Sequence, residues 1–167
     1  MSREKDESVC NFLAADVRLR CVEEADLPIL FEFQLDPEAN RMAFTHPRSA
    51  EEFDAHWENI LADSSVTARA ILANDTFAGC ISCFKCDGLD SIGYWIGKGF
   101  WGKGVATRAL QLLLDEVSTR PLHSRVAVTN AGSLRVLQKC GFKIVRQEWS
   151  PATDRYIACE EAVLELP

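Results

Sequence analysis

The sequence has no long hydrophobic run. No window approaches the roughly 18 consecutive apolar residues that a membrane-spanning helix needs, and the start, MSREKDESVCNF, lacks the apolar core of a secretory signal. No membrane partner is therefore expected, and the expected address is cytoplasmic. A surplus of positive charge is missing too: 18 Lys and Arg stand against 25 Asp and Glu, a formal charge of −7. A nucleic-acid partner would call for a basic patch, so none is expected. The acidic balance is compatible with a cationic substrate. Internal repeats, low-complexity stretches and linkers are also absent, so 167 residues read as one core.

Cysteine is not scarce, but its pattern excludes a disulfide framework. Seven cysteines are an odd number in a chain large enough to pack without staples, which points to reduced thiols. Three of them fall in TFAGCISCFKC, a stretch of strand-like composition. On a strand, Cys83 faces away from Cys80 and Cys86, and no histidine is near in sequence, so no metal is expected. With 47% hydrophobic and 26% charged residues, the remaining composition is that of an ordinary globular domain.

The organisation follows from periodicity. Residues 1–14 are read as a charged, flexible N-terminus and 15–167 as one domain. VRLRCV, Val17 to Val22, alternates with strand period. EEADLPILFEFQLDPEA then reads as a helix, with Asp26 as its cap and an apolar face of Leu27, Leu30, Phe31 and Leu35. NRMAFTHPR is expected to be a loop. A second helix fits Ala50 to Ala62, with Ser49 and Glu52 placed for a capping box. Val66 to Ala73 and Thr76 to Lys85 read as a hairpin turned at Asn74 and Asp75. SIGYWIG is a short apolar strand leading into a glycine-rich loop and a helix faced by Ala106, Leu110, Leu113, Leu114 and Val117. His123 to Thr129 reads as a buried strand. Asn130 caps a short helix that stops at Gly141, and strands near Phe142 to Trp149 and Arg155 to Leu166 close the chain.

The glycine loop, GKGFWGKGVATRA, predicts a phosphate at a helix start. Three readings compete for it. A dinucleotide fold needs an acidic residue at the end of the next strand, where Thr129 and Asn130 stand. A P-loop needs Ser or Thr after Lys103, where Gly104 stands, and so loses the hydroxyl that holds magnesium. The third reading uses more of the chain. The backbone N–H groups of Gly102, Lys103, Gly104, Val105 and Ala106 can converge on a pyrophosphate at the N-terminus of a helix, and Lys103 adds a charge at the rim.

Taken together with NAGSLRVLQKCGF, this loop resembles the GNAT superfamily of N-acetyltransferases, most closely the branch similar to the enzymes that modify the N-termini of ribosomal proteins. The resemblance spans roughly Val17 to Leu166. It rests on Trp101, Gly104 and Ala106 in the first block and on Asn130, Ser133, Val136, Lys139, Gly141 and Phe142 in the second. Trp101 stands where the general pattern has Gln or Arg.

What the resemblance implies is specific. The fold would be a mixed α/β domain with a mostly antiparallel sheet of about six to seven strands, splayed at the acetyl-CoA site and flanked by helices. The activity would be transfer of acetyl from acetyl-CoA to a primary amine by direct attack on the thioester, without a metal. The alternative is a non-catalytic acyl-CoA-binding module. Acetyl-CoA would be held by Trp95, Ile96 and Gly97, by the loop from Trp101 through Thr107, and by Asn130 and Ser133. The strand-end N–H groups around Trp95 to Gly97 would meet the oxyanion.

The carboxylate common in similar proteins falls at Asp90 or Ser91. No Tyr lies between Asn130 and Phe142, so Ser133 is the candidate to bond the sulfur. The acceptor would lie among Glu38, Asn40, Arg41, Thr45 and His46, with His46 the best base by chemistry. His56 is expected on a helix surface. A homodimer is common in similar proteins.

Overall fold

Two left-handed residues between two alternating strands dictate the first hairpin. Asn74 and Asp75 have φ of 49° and 64°, the turn whose twist matches its flanking strands, and they join β2 (Thr67–Ala73) to β3 (Thr76–Cys86). A second such turn, at Asp87 and Gly88 with φ of 50° and 77°, joins β3 to β4 (Leu89–Ile96). The computed structural model describes residues 15–167. The expected flexible segment 1–14 lies outside the described residues.

β1 (Val17–Cys21) pairs antiparallel with β2. Beyond β4 come β5 (Leu122–Ala127), β6 (Lys143–Ser150) and β7 (Cys159–Leu166). The seven strands form one sheet in the order β1-β2-β3-β4-β5-β7-β6. Every neighbouring pair is antiparallel except β4 and β5. The mixed α/β class and the mostly antiparallel sheet of the sequence reading are thus found.

Alternation along the strands divides the core between the two faces. Ile71, Ile81 and Cys83 pack with Leu110, Leu113 and Leu137 from helices α4 (Val105–Glu116) and α5 (Ala131–Lys139). Ala70, Phe77 and Cys80 pack with Leu30, Phe53 and Trp57 from helices α1 (Leu27–Gln34) and α3 (Ala50–Ala62). Cys80 and Cys83 accordingly lie on opposite faces, as their spacing implies. Among the described residues no helix is long and apolar enough to cross a membrane.

The region before α3 departs from the reading. The expected single helix breaks at Asp36, and a further helix, α2 (Pro37–Ala43), occupies part of the expected loop. Pro37 is the cause: it disfavours helical geometry in the residue before it, and Asp36 is extended at φ −61°, ψ 120°. The Asp36 carboxylate then accepts from the Ala39 N–H at 2.9 Å, capping α2. Asp26 is helical and its side chain does not cap α1. Instead its buried carboxylate accepts two bonds from the Arg20 guanidinium, at 2.6 and 2.8 Å, and one from the Glu23 N–H at 2.8 Å. Leu35, expected in the apolar face, is exposed.

The other expected ends hold. Ser49 and Glu52 form their capping box, and Phe53 and Trp57 are buried. Asn130 caps α5 by accepting from the Ser133 N–H at 3.2 Å. Gly141 takes φ 94°, and the Phe142 N–H donates to Leu137 O at 3.1 Å, with both side chains buried.

Candidate functional site

A parallel pair inside an antiparallel sheet creates the site. β4 and β5 are in register only at Ser91 and His123; one residue on, the Ser124 hydroxyl donates to Ile92 O at 3.1 Å, and then the strands part. On its other edge β4 stays bonded to β3, and the Gly97 N–H donates to Ala78 O at 2.8 Å. Because successive N–H groups of a strand point to opposite edges, those of Tyr94 and Ile96 point into the gap. Past Ser91 no strand residue of β5 stands in register to accept them.

Below the gap lies a cavity of about 600 Å³. Two helix N-termini face it. At α4, Gly102 and Gly104 have φ of 71° and 75°, and a Cβ on either would meet nothing within 4 Å, so the loop turns tightly and stays open. The first bond of the α4 ladder is Arg108 N–H to Gly104 O at 3.1 Å, which leaves the N–H groups of Val105, Ala106 and Thr107 without a helical acceptor. At α5, Asn130, Ala131, Gly132 and Ser133 form the facing wall. Both helix dipoles make this cavity favourable to negative charge. Arg135 and Lys139, one turn apart on α5, border it as well.

A smaller cavity of about 340 Å³ lies against α3 and is bordered by Arg48, Trp57, Phe84 and Arg155. Tyr94 and Trp95 stand in the walls of both cavities. The Tyr94 hydroxyl donates to Ser133 O at 3.3 Å, and burial pushes its pKa up to about 12, so it stays a protonated donor. His56 borders the smaller cavity, half-buried where an exposed position was expected. Its burial, with the charges of Arg48 and Arg155, lowers its pKa to about 4, so its imidazole is neutral.

The residues expected to hold acetyl-CoA are largely brought together. Trp95, Ile96, Trp101, Gly102, Gly104 and Val105 border the larger cavity, as do Ala106, Thr107, Asn130 and Ser133. Trp101 also packs, its indole N–H donating to Ile96 O at 2.9 Å. Gly97 and Lys103 stand apart from that wall. A Cβ on Gly97 would lie 2.7 Å from the Phe33 ring, and its N–H is taken by Ala78, so it is no oxyanion donor. The Lys103 ammonium donates to Gly99 O at 2.8 Å.

The expected acceptor residues are not assembled around either cavity. Glu38 pairs with Lys98. Asn40 is buried, donating to Gln34 O at 2.6 Å and accepting from the Thr45 hydroxyl at 2.9 Å, which orders the turn after α2. Arg41 and His46 are exposed, and the His46 backbone is tied to Arg155, with its N–H donating to Arg155 O at 2.8 Å. Asp90 pairs with Lys85 at 2.9 Å, and the Ser91 hydroxyl donates to Leu89 O at 3.2 Å, both before the gap opens. The reading missed Tyr94, although it stands in the strand that the motif singled out. It also missed Arg48, His56 and Arg155, which have no motif and meet only in the fold.

Comparison with known proteins agrees with this arrangement. Residues 16–143 match the model of the acetyltransferase (GNAT) domain family. An uncharacterized N-acetyltransferase, p20 of Bacillus licheniformis, is 25% identical over 138 residues, which cover 75% of this chain and 78% of that protein. A probable N-acetyltransferase of Bacillus subtilis, YjcK, is 35% identical over 78 residues, 42% of this chain and 43% of that one.

Among solved structures, a spermidine N-acetyltransferase from Vibrio cholerae, in complex with CoA and spermine, superposes with a TM-score of 0.76 at 16% identity, covering 90% of this chain and 94% of that one. RimL, a ribosomal L7/L12 alpha-N-protein acetyltransferase, gives 0.74 at 20% identity, over 90% and 89%. The match over most of the chain, and a sheet that parts above two helix N-termini, place the chain in the GNAT acetyltransferase family as an N-acetyltransferase.

Proposed function

We propose that the chain moves the acetyl group of acetyl-CoA to a primary amine, with the donor in the larger cavity and the acceptor in the smaller one. The observation that carries this reading is that the two cavities meet at Tyr94 and Trp95, beside strand N–H groups left without a β5 partner. Acetyl-CoA would supply an acyl carbon already activated by a sulfur leaving group. A C–N bond forms, the C–S bond breaks, and of the two protons that an ammonium acceptor must give up, one ends on the sulfur and one in solvent.

The chain's residues divide this work. The N–H groups of Val105, Ala106 and Thr107 bind the pyrophosphate at the α4 terminus, with Arg135 and Lys139 as the cationic rim. The Tyr94 and Ile96 N–H groups aim at the thioester oxygen, where charge grows during attack. At α5, the helix dipole and the Ser133 and Tyr94 hydroxyls face the departing sulfur, so they oppose charge building there. Asn130 keeps that helix start in place. The neutral His56 imidazole can pass the amine proton toward water.

Thermal unfolding tests the donor. Acetyl-CoA at about a hundred times its Kd should add about 2.7 kcal/mol, raising the midpoint by several degrees, whereas NAD and ATP with magnesium should not. Thiol release with a panel of amines then tests transfer. Stabilisation by NAD or ATP in place of acetyl-CoA would overturn the assignment. Binding without turnover of any amine would reduce the chain to an acyl-CoA-binding module.

A further inference from the structure

The walls of the smaller cavity offer hydrogen-bond donors and positive charge. Arg48 and Arg155 both border it, and among the described residues no Asp or Glu does. Neither guanidinium forms a salt bridge among the described residues. Arg155 donates one N–H to His46 O, while its Nε is buried and has no partner among the described residues. The Trp95 indole nitrogen and the Gln34 amide nitrogen, both of residues bordering the cavity, are likewise buried and unpartnered, and Gln34 is only 4% exposed. Glu52, the acid that acts on both guanidiniums, has its carboxylate bonded to the Ser49 N–H at 2.9 Å in the α3 cap.

Unpartnered buried donors and unpaired, half-buried cations are both costly. A carboxylate would pair the two half-buried guanidiniums, whereas a second cation would add to the repulsion. Phe53, Trp57 and Phe84 supply an apolar floor that can take a carbon skeleton.

We infer that the acceptor is an amine that also carries a carboxylate, which Arg48 and Arg155 hold while the amine points to the junction at Tyr94 and Trp95. The inference rests on the proposed placement of the acceptor and narrows it to a chemical class. It separates this cavity from one built for a polyamine, whose charges would face two guanidiniums. The carboxylate can belong to a small amino acid or to an acidic side chain near a peptide N-terminus.

Paired probes decide. Thiol release is measured with phenylalanine against phenethylamine, 4-aminobutyrate against butylamine, the amide of Ala-Asp-Ala against that of Ala-Asn-Ala, and spermidine alone. Binding of the same probes to the CoA-saturated protein is followed by tryptophan fluorescence. The carboxylate-bearing member of at least one pair should be preferred about tenfold or more, the scale of a charge-assisted contact; the small pairs and the peptide pair tell the two sources apart. Arg48→Gln should bring that ratio to about one while the stabilisation by acetyl-CoA persists. Arg155→Gln should do the same, but it also removes a tie to His46, so Arg48→Gln is the decisive variant. A preference for spermidine or the carboxylate-free partners, a preference that survives Arg48→Gln, or no binding or turnover of any carboxylate-bearing probe would overturn the inference. Loss of stabilisation by acetyl-CoA in the parent protein would instead bring down the proposed function beneath it.

Discussion

The Tyr94 hydroxyl, carried by β4, donates to the backbone carbonyl of Ser133 on α5 across 3.3 Å, and so bridges the point where the sheet parts. This one bond ties the junction of the two cavities to α5, the helix whose dipole would face the sulfur in the proposed transfer. Tyr94→Phe keeps the ring and removes the donor. Turnover should fall by about ten- to a hundredfold, at the lower end of what a positioned proton donor contributes, with little change in the affinity for acetyl-CoA. Steady-state kinetics beside a binding titration separate the two quantities, and an unchanged kcat would remove Tyr94 from the chemistry.

Gly104 precedes α4 at φ 75° with open space where a Cβ would go. Gly104→Ala should cost about 1 kcal/mol of stability, because a side chain is strained at that φ. It should also weaken acetyl-CoA binding, since Gly104 borders the larger cavity and the strained loop would shift there. Chemical unfolding and a binding titration on the same variant report the two effects.

Gly97→Ala should damage the fold directly. The added methyl would sit 2.7 Å from the Phe33 ring, which is itself stacked near Phe77. Overpacking of this kind costs about 1–3 kcal/mol. A midpoint unchanged from the parent protein would mean that Phe33 moves aside freely.

Two groups give separate signatures in a pH series of thermal midpoints. His56 is held near a pKa of about 4, below its ordinary 6.5, so the unfolded chain binds more protons between those values. Stability should therefore fall as pH drops through that window and level off below it, and His56→Gln should remove this loss. Asp26 is held below its ordinary 3.8 by the Arg20 bonds, with the Glu23 N–H adding to them. Its contribution is present above the unfolded pKa and is lost as pH falls through the lower, folded one. Asp26→Asn should cost about 2–3 kcal/mol at neutral pH, the scale of charge-assisted hydrogen bonds left unmade, and flatten the acid end of the curve.

Local signals carried most of the fold. Asn74-Asp75, the Ser49 and Glu52 box, and Gly141 with Phe142 each act through neighbours in sequence, and each gave the element it implied. Pro37 carried an equally local signal that the periodicity of the preceding leucines and phenylalanines masked. In the larger cavity, backbone geometry shapes the proposed donor site, so a glycine pattern could reveal it. In the smaller cavity, Arg48 is the residue before the α3 cap and His56 lies within α3, and Arg155 joins them only because the β6–β7 connection folds back against the loop before α3, where Thr45 bridges Tyr156. No spacing rule can announce that meeting. Asn40 misled for the opposite reason, because its polarity serves the backbone of its own turn.

The single register pair between β4 and β5 also bears on how the domain breathes. A sheet's least protected amides are normally found along its outer strands. Here the order of strands places β4 and β5 in the interior, so the ligand-free protein should show rapid deuterium uptake at Tyr94 and Ile96 amid slowly exchanging neighbours. The sheet is then two smaller sheets joined near Ile92 and Ser124, and a ligand lying in the gap would act as the missing strand between them.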